Sequence, residues 1–345
     1  MSVNSDDLPY LGPWAPMGGT ELMMERLKAG LDPELLENYQ ILPSRISSLD
    51  ESKIRLHWIH DLPKDALSDH LANGGWRKFY KLIFVSNWQM QAYIRHFDIP
   101  WSKCLVIPNA IEPIGPHSKP KDKLRLIYTP TPHRGLGILI HVFKALAEKY
   151  DFIHLDVYSS FKLYDLAYMD EKFQTLFDQC REHPNITYHG TVSNAEIREA
   201  LKQAHIFAYP CIWEETSCLT LMEAMSAGLL CVHPNLGGLY ETSANWTMRY
   251  QWQEDVGVHA TLFQLFLESA ILNFWEPEVQ TKLEGQVAYC DRFYNWDDRL
   301  MQWDALLRGW LNVDRSMPPD DPPEQAPSHG LKHFLEGLTR PFRST

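Results

Sequence analysis

The strongest constraint on this chain is an alternation of short apolar runs with longer amphipathic stretches. It occurs in two series, divided by an interval rich in proline and charge. Near-continuous apolar runs read as buried parallel strands, and parallel strands need crossover connections, usually helical. In the first series, residues 39–42, 54–59, 81–85 and 104–107 read as strands. Residues 20–31 read as a helix striped by Leu22, Met23, Leu27 and Leu31, and a second helix runs from a Ser86 cap to about His96. Residues 112–123, with Pro113, Gly115, Pro116 and Pro120 among charges, read as a linker. The second series places strands at 124–128, 153–158, 186–188, 206–209 and 229–233, and helices at 135–149, 194–203 and 219–227. Helices then dominate to about Trp310. This alternation predicts an α/β chain with two parallel sheets, and 345 residues suit two domains better than one.

Charge and composition exclude several function classes. A formal net charge of -12 argues against a nucleic-acid surface, which needs a basic stripe. The six cysteines show no C-x-x-C pair and no zinc spacing, as expected for reduced thiols in a cytoplasmic protein. The opening residues are acidic and broken by proline, unlike a signal peptide, and no apolar run approaches the ~20 residues of a membrane span. Residues 313–345 read as a proline-rich flexible tail, in which 329–342 have the pattern of a short amphipathic helix. That allows at most weak peripheral membrane contact.

Residues 209–228, YPCIWEETSCLTLMEAMSAG, carry the most chemistry. A strand ends at Pro210, a loop carries Glu214 and Glu215, and Thr216 or Ser217 is placed to cap the next helix. Glu223 falls in its second turn, and helical side chains lean toward the N-terminus. Glu215 and Glu223 would then approach the helix mouth, where unpartnered backbone N–H groups suit a diphosphate. Carboxylates there make poor phosphate ligands but good acceptors for the hydroxyls of a sugar and a ribose. Either acid alone is also explained by the helix dipole.

Glu215 and Glu223, followed by Ala-Met-Ser-Ala-Gly and a strand, resemble the E-x7-E signature of retaining GT-B glycosyltransferases, especially glycosyltransferase family 4. Further landmarks of that family are resembled in order. They are Gly18-Gly19-Thr20-Glu21, His60-Asp61, Val85-Ser86, Ile107-Pro108-Asn109, Pro132-His133-Arg134-Gly135, His189-Gly190, Gly237-Gly238-Leu239-Tyr240-Glu241 and Trp296. The resemblance implies a GT-B fold: two doubly wound Rossmann-like domains facing a cleft, with C-terminal helices crossing back. It divides the chain into an acceptor-side domain (1–112), a linker (113–123), a nucleotide-sugar domain (124–292), a returning helix (293–312) and the tail. It implies that Glu215 holds donor-sugar hydroxyls and Glu223 the ribose. Backbone amides of Ser217, Cys218 and Leu219, with Arg134, would face the diphosphate. His60 would lie at the reacting face, and Gly18 and Gly19 would let the backbone approach the donor or acceptor. The partners implied are a nucleotide diphosphate sugar, UDP-sugar favoured over GDP-sugar, and a glycan or glycolipid acceptor. No metal is implied: no D-x-D motif follows a strand.

The sequence also departs from the pattern. Thr129 stands where the family has an arginine, which removes one diphosphate cation unless Arg45, His133 or Lys162 replaces it. Ala110 follows Asn109 in place of glycine, Ser159-Ser160 replaces a glycine turn, and no clear apolar strand precedes Gly18. The alternatives are a glycoside hydrolase using the two glutamates, a nucleotide-sugar epimerase, and a catalytically degenerate GT-B protein that binds glycans or a partner.

Overall fold

A computed structural model describes residues 18–313, apart from Arg45, Ser47 and Asp165. The opening residues, the tail and Arg45 therefore lie outside the described residues. The first half contains α1 (Gly19–Gly30), α2 (Pro33–Leu36), β1 (Tyr39–Pro43), β2 (Ile54–Ile59), β3 (Lys81–Phe84), α3 (Asn87–Phe97) and β4 (Cys104–Val106). The second contains β5 (Leu124–Tyr128), α4 (Leu136–Ala147), β6 (Ile153–Val157), α5 (Gln174–Glu182), β7 (Ile186–Tyr188), α6 (Asn194–Gln203), β8 (Ile206–Ala208), α7 (Leu219–Ser226), β9 (Leu230–Pro234), α8 (Leu239–Ser243) and β10 (Met248–Tyr250). Three helices follow: α9 (Val256–Asn273), α10 (Pro277–Phe293) and α11 (Trp296–Gly309).

The first sheet is parallel in the order β1-β2-β3-β4. All its crossovers advance in one direction, so right-handed connections fall on one face. There Leu71, Trp76, Met90 and Tyr93 pack with Ile59, Leu82 and Phe84. The other face needs a layer from elsewhere, and α1 and α11 supply it: Met23, Leu27, Trp303 and Leu307 pack with Leu56, Trp58 and Ile83. Trp303 meets Trp58 edge-on at 5.0 Å. The Tyr39 hydroxyl donates to the Leu307 carbonyl. The chain returns beside the linker, where the Ile111 N–H donates to the Tyr294 carbonyl at 2.7 Å. The segment before Gly18, in which no clear apolar strand is expected, lies outside the described residues.

The second sheet is parallel in the order β7-β6-β5-β8-β9-β10. Winding runs outward from β5 to β7, then reverses and runs from β8 to β10. The carboxyl ends of β5 and β8 flank the reversal, the point where open α/β sheets bind ligands. The sequence reading missed β10 and α5, and with them the short helices α2 and α8. The first two are marginal signals: β10 spans three residues and α5 has only Phe177 and Cys180 buried.

One expectation needs correction. The helix α9, at 18 residues, is long and apolar enough to cross a membrane by length and composition. It passed unnoticed because His259 and Glu268 interrupt the run. In the fold, His259, Phe263, Leu267, Ala270 and Ile271 are buried within the second domain.

Trp303 is fully buried and its indole N–H has no partner, so its contribution is packing. Trp303→Ala is expected to lower unfolding free energy by about 3–5 kcal/mol, read from chemical denaturation. A loss below about 1 kcal/mol would show that α11 is not a core layer of the first sheet.

Candidate functional site

The 3-10 turn Pro132–Arg134 follows β5, and the loop 209–218 follows β8. These segments touch at Gly135, whose φ of 126° suits glycine. A Cβ there would stand 2.2 Å from the Pro210 carbonyl oxygen. Only glycine permits that approach, and it brings Arg134 to Glu215. Arg134 Nη1 donates to Glu215 Oε1, and the two form an ion pair. The Tyr209 hydroxyl donates to the same oxygen at 2.5 Å. Glu215 is 7% exposed. It is held from behind by the turn before α8. Glu215 bridges Gly237, and the Gly238 N–H donates to the Glu215 carbonyl at 2.6 Å. Gly237 has a φ of 60°, and a Cβ would fall 2.6 Å from that carbonyl.

The expected helix cap is different. The N-cap position of α7 is Cys218, and no side chain caps it. Thr216 is drawn away, because its Oγ1 donates to the His60 carbonyl at 2.8 Å. The first N–H groups of α7 therefore have no side-chain cap, the state that favours an anion. Burial pushes the Cys218 thiol up to about 12, so it stays protonated. Leu219 begins α7 and points at Gly19.

Glu223 sits one turn further along. Its carboxylate pairs with Arg198 at 3.2 Å. Arg198 also donates to the carbonyls of Glu112 and Pro113 at 2.8 and 3.0 Å, joining α6, the linker and α7. Burial raises the Glu223 carboxyl and Arg198 pulls it back. The sequence reading missed Arg198 and Tyr209. Tyr209 ends its strand run directly before Pro210, the position from which a side chain reaches the switch point.

His60 lies just past β2. Its ring is 4.8 Å from the Trp58 ring, and its Nε2 is buried without a partner. Burial lowers its imidazole to about 3. The bond from Thr216 ties the His60 carbonyl to the residue next to Glu215, so the two expected residues, from opposite domains, come near each other. Gly18 and Gly19 open α1 on the same side. A Cβ on Gly19 would lie 3.0 Å from Leu219 Cδ1. The neighbour met at Gly19 is thus a side chain of the second domain.

Thr129 Oγ1 is buried without a partner. Of the residues that might replace the missing cation, His133 stacks on Phe161 at 5.2 Å and is lowered to about 4 by burial and by Arg134, so it brings no charge at neutral pH. Lys162 is exposed and lines a cavity of about 390 Å³ at the ends of β6 and β7, with Ser160, Asp170, Arg181 and His189. Among the described residues, no group of three His, Cys, Asp or Glu is arranged to hold a metal.

Residues 114–253 match the family model of glycosyl transferases group 1. That segment contains Arg134, Glu215 and Glu223, whereas His60, Gly18 and Gly19 lie before it. No curated protein matches the chain. Solved structures with the same fold include a glycosyltransferase from Rickettsia africae ESF-5, at 14% identity and a TM-score of 0.62, covering 91% of this chain and 85% of that one. An Anabaena protein, HepE, solved in complex with UDP-glucose, aligns at 14% identity and a TM-score of 0.55, covering 75% and 72%. A UDP-forming α,α-trehalose-phosphate synthase from Burkholderia xenovorans aligns at 11% identity and a TM-score of 0.59, covering 75% and 69%. The architecture is accordingly that of the GT-B fold, with two Rossmann-like domains.

The buried histidine sets a pH dependence. An unfolded imidazole titrates near 6.5 and folded His60 near 3, so on acidification the unfolded chain takes up the proton first. The stability linked to His60 is full above about pH 6.5 and is lost as pH falls toward 3. Between pH 7 and pH 5, the melting temperature of the wild type should fall further than that of His60→Phe. Parallel curves would mean that folded His60 titrates as it does in the unfolded chain.

Proposed function

We propose that the chain transfers a sugar from a nucleotide diphosphate sugar to an acceptor hydroxyl, with retention of anomeric configuration. The observation that carries this reading is the Arg134–Glu215 pair at the reversal point of the second sheet, beside an uncapped helix start and within the segment that matches group 1 glycosyl transferases. The diphosphate lies on the first amides of α7, around Ser217, Cys218 and Leu219. Arg134 turns from Glu215 toward it. Glu215, released from part of that pairing, accepts hydroxyls of the donor sugar. Glu223, fixed by Arg198, accepts the ribose. The base enters the cavity beside β6 and β7.

As the glycosyl–phosphate bond breaks, negative charge grows on the departing diphosphate. Arg134 and the helix amides face that charge, and we assign its stabilisation to them rather than to a metal. His60 is neutral at neutral pH, and we assign it a place beside the sugar or the acceptor. A UDP-sugar is favoured over a GDP-sugar, supported by the UDP-glucose complex of HepE and the UDP-forming trehalose-phosphate synthase. The acceptor class is a glycan or a lipid-linked glycan.

A second reading is a glycan- or partner-binding protein without catalysis. It draws on Thr129, an uncharged residue where the family has a cation, and on Arg134 being engaged by Glu215.

Thermal shift with UDP, GDP, ADP and their sugar conjugates separates the two. A nucleotide at 100 times its Kd stabilises the fold by about 2.7 kcal/mol. A shift with one base supports the donor site and fixes its class. Silence at millimolar ligand favours the second reading. In a transfer assay, Arg134→Ala should reduce kcat by about 10²–10³-fold if it meets leaving-group charge. Glu215→Gln, with the fold intact, should lose most turnover, and wild-type turnover in that variant would remove Glu215 from the chemistry.

A further inference from the structure

Two landmarks of the sequence, Val85-Ser86 and Gly237 to Glu241, have no place in the donor chemistry above, yet they meet across the cleft. Glu241 lies on α8 of the second domain, and its carboxylate stands at the N-terminus of α3 in the first. Its Oε1 accepts from the Asn87 backbone N–H at 2.9 Å and from Asn87 Nδ2 at 2.7 Å. Its Oε2 accepts from the Trp88 N–H at 3.1 Å. Beside it, Ser86 Oγ accepts from the Gln89 N–H as the cap of α3 and donates to the Thr216 carbonyl at 2.6 Å. Thr216 in turn donates to the His60 carbonyl.

We infer that Glu241 is a positioning residue: a latch that closes the two domains and delivers the Glu215 loop to His60. Two features suit it to that work. First, the latch and the loop move as one body, because the Gly238 N–H is bonded to the Glu215 carbonyl and Gly237 bridges Glu215. Second, the contact is strong enough to select closure and weak enough to release. A carboxylate at a helix N-terminus meets unpartnered N–H groups and the positive end of the dipole. Asn87 is exposed and Glu241 and Trp88 are half-buried, so water competes for the same bonds. The helix start is also specific: Ser86 occupies the cap, which leaves the amides of Asn87 and Trp88 for a group from the other domain.

What closure assembles rests on the function proposed above, but the latch itself is tested on shape. Small-angle scattering of the full chain, without ligand, compares wild type, Glu241→Ala, Glu241→Gln and Asn87→Asp. The wild type should fit the closed arrangement. Glu241→Ala should give a larger radius of gyration, with Glu241→Gln, which keeps an acceptor oxygen, between the two. Asn87→Asp covers the case in which Glu241→Ala fails to fold. An acid in the first helical turn favours α3, yet it repels Glu241, so this variant should be folded and open. In the transfer assay, kcat should fall about tenfold, equivalent to about 1.4 kcal/mol of closure free energy. The Kd for UDP should stay unchanged, since its contacts lie within the second domain. Scattering from folded Glu241→Ala or Asn87→Asp that superimposes on wild type overturns the latch, as does a wild-type curve that fits only separated domains. If the wild type transfers sugar from no donor, the proposed reaction fails while scattering still decides the latch.

Discussion

At the reversal point of the second sheet, the carbonyl oxygen of Pro210 faces a backbone position where no side chain fits. Gly135 occupies it, and the loops after β5 and β8 close to van der Waals contact. Arg134 and Glu215 meet because of that contact. The Glu215 loop then has one defined course, held by Tyr209 from below and by the Gly237-Gly238 turn from behind. The uncapped start of α7 and the reach of Thr216 to His60 follow from where the loop is pinned. A side chain at position 135 would separate the loops and undo all of these together.

The electrostatics follow from the same closeness. A nearly buried carboxylate is costly alone and tolerable beside a guanidinium and a phenol hydroxyl. The pair therefore keeps both charges in place at a site with little solvent. Around it three titratable groups are neutral at neutral pH: His60 and His133 are lowered by burial and the Cys218 thiol is raised. In the proposed donor site the positive charge comes from Arg134 and the helix amides, and Thr129 adds none.

Much of this arrangement was legible in the sequence. Strand runs such as 54–59 and 186–188 and the helix 194–203 match the observed elements because apolar periodicity and capping agree there. The spacing of Glu215 and Glu223 pointed to the loop and helix at the reversal point of the second sheet. Partners chosen by tertiary contact were not legible. Thr216 looks like a cap, but the His60 carbonyl from the other domain takes its hydroxyl. Arg198 gives no local signal, since its three acceptors lie 25 to 86 residues away. The strand order of the first sheet was also hidden, because periodicity identifies strands and not their neighbours.

The return of α11 has a consequence for how the chain acquires its structure. Tyr39 and Leu307 are bonded across 268 residues. The strands of the first sheet leave the ribosome early, but one face, covered in part by α1, is not completed until Trp303 and Leu307 emerge. Contacts of such long sequence separation slow folding, and a partly uncovered sheet face is open to aggregation in the interval. The second domain, whose sheet layers come from its own helices, has no such wait. The order of folding is therefore set against the order of synthesis: the half made later completes its core first, and the half made earlier is finished by the last described helix.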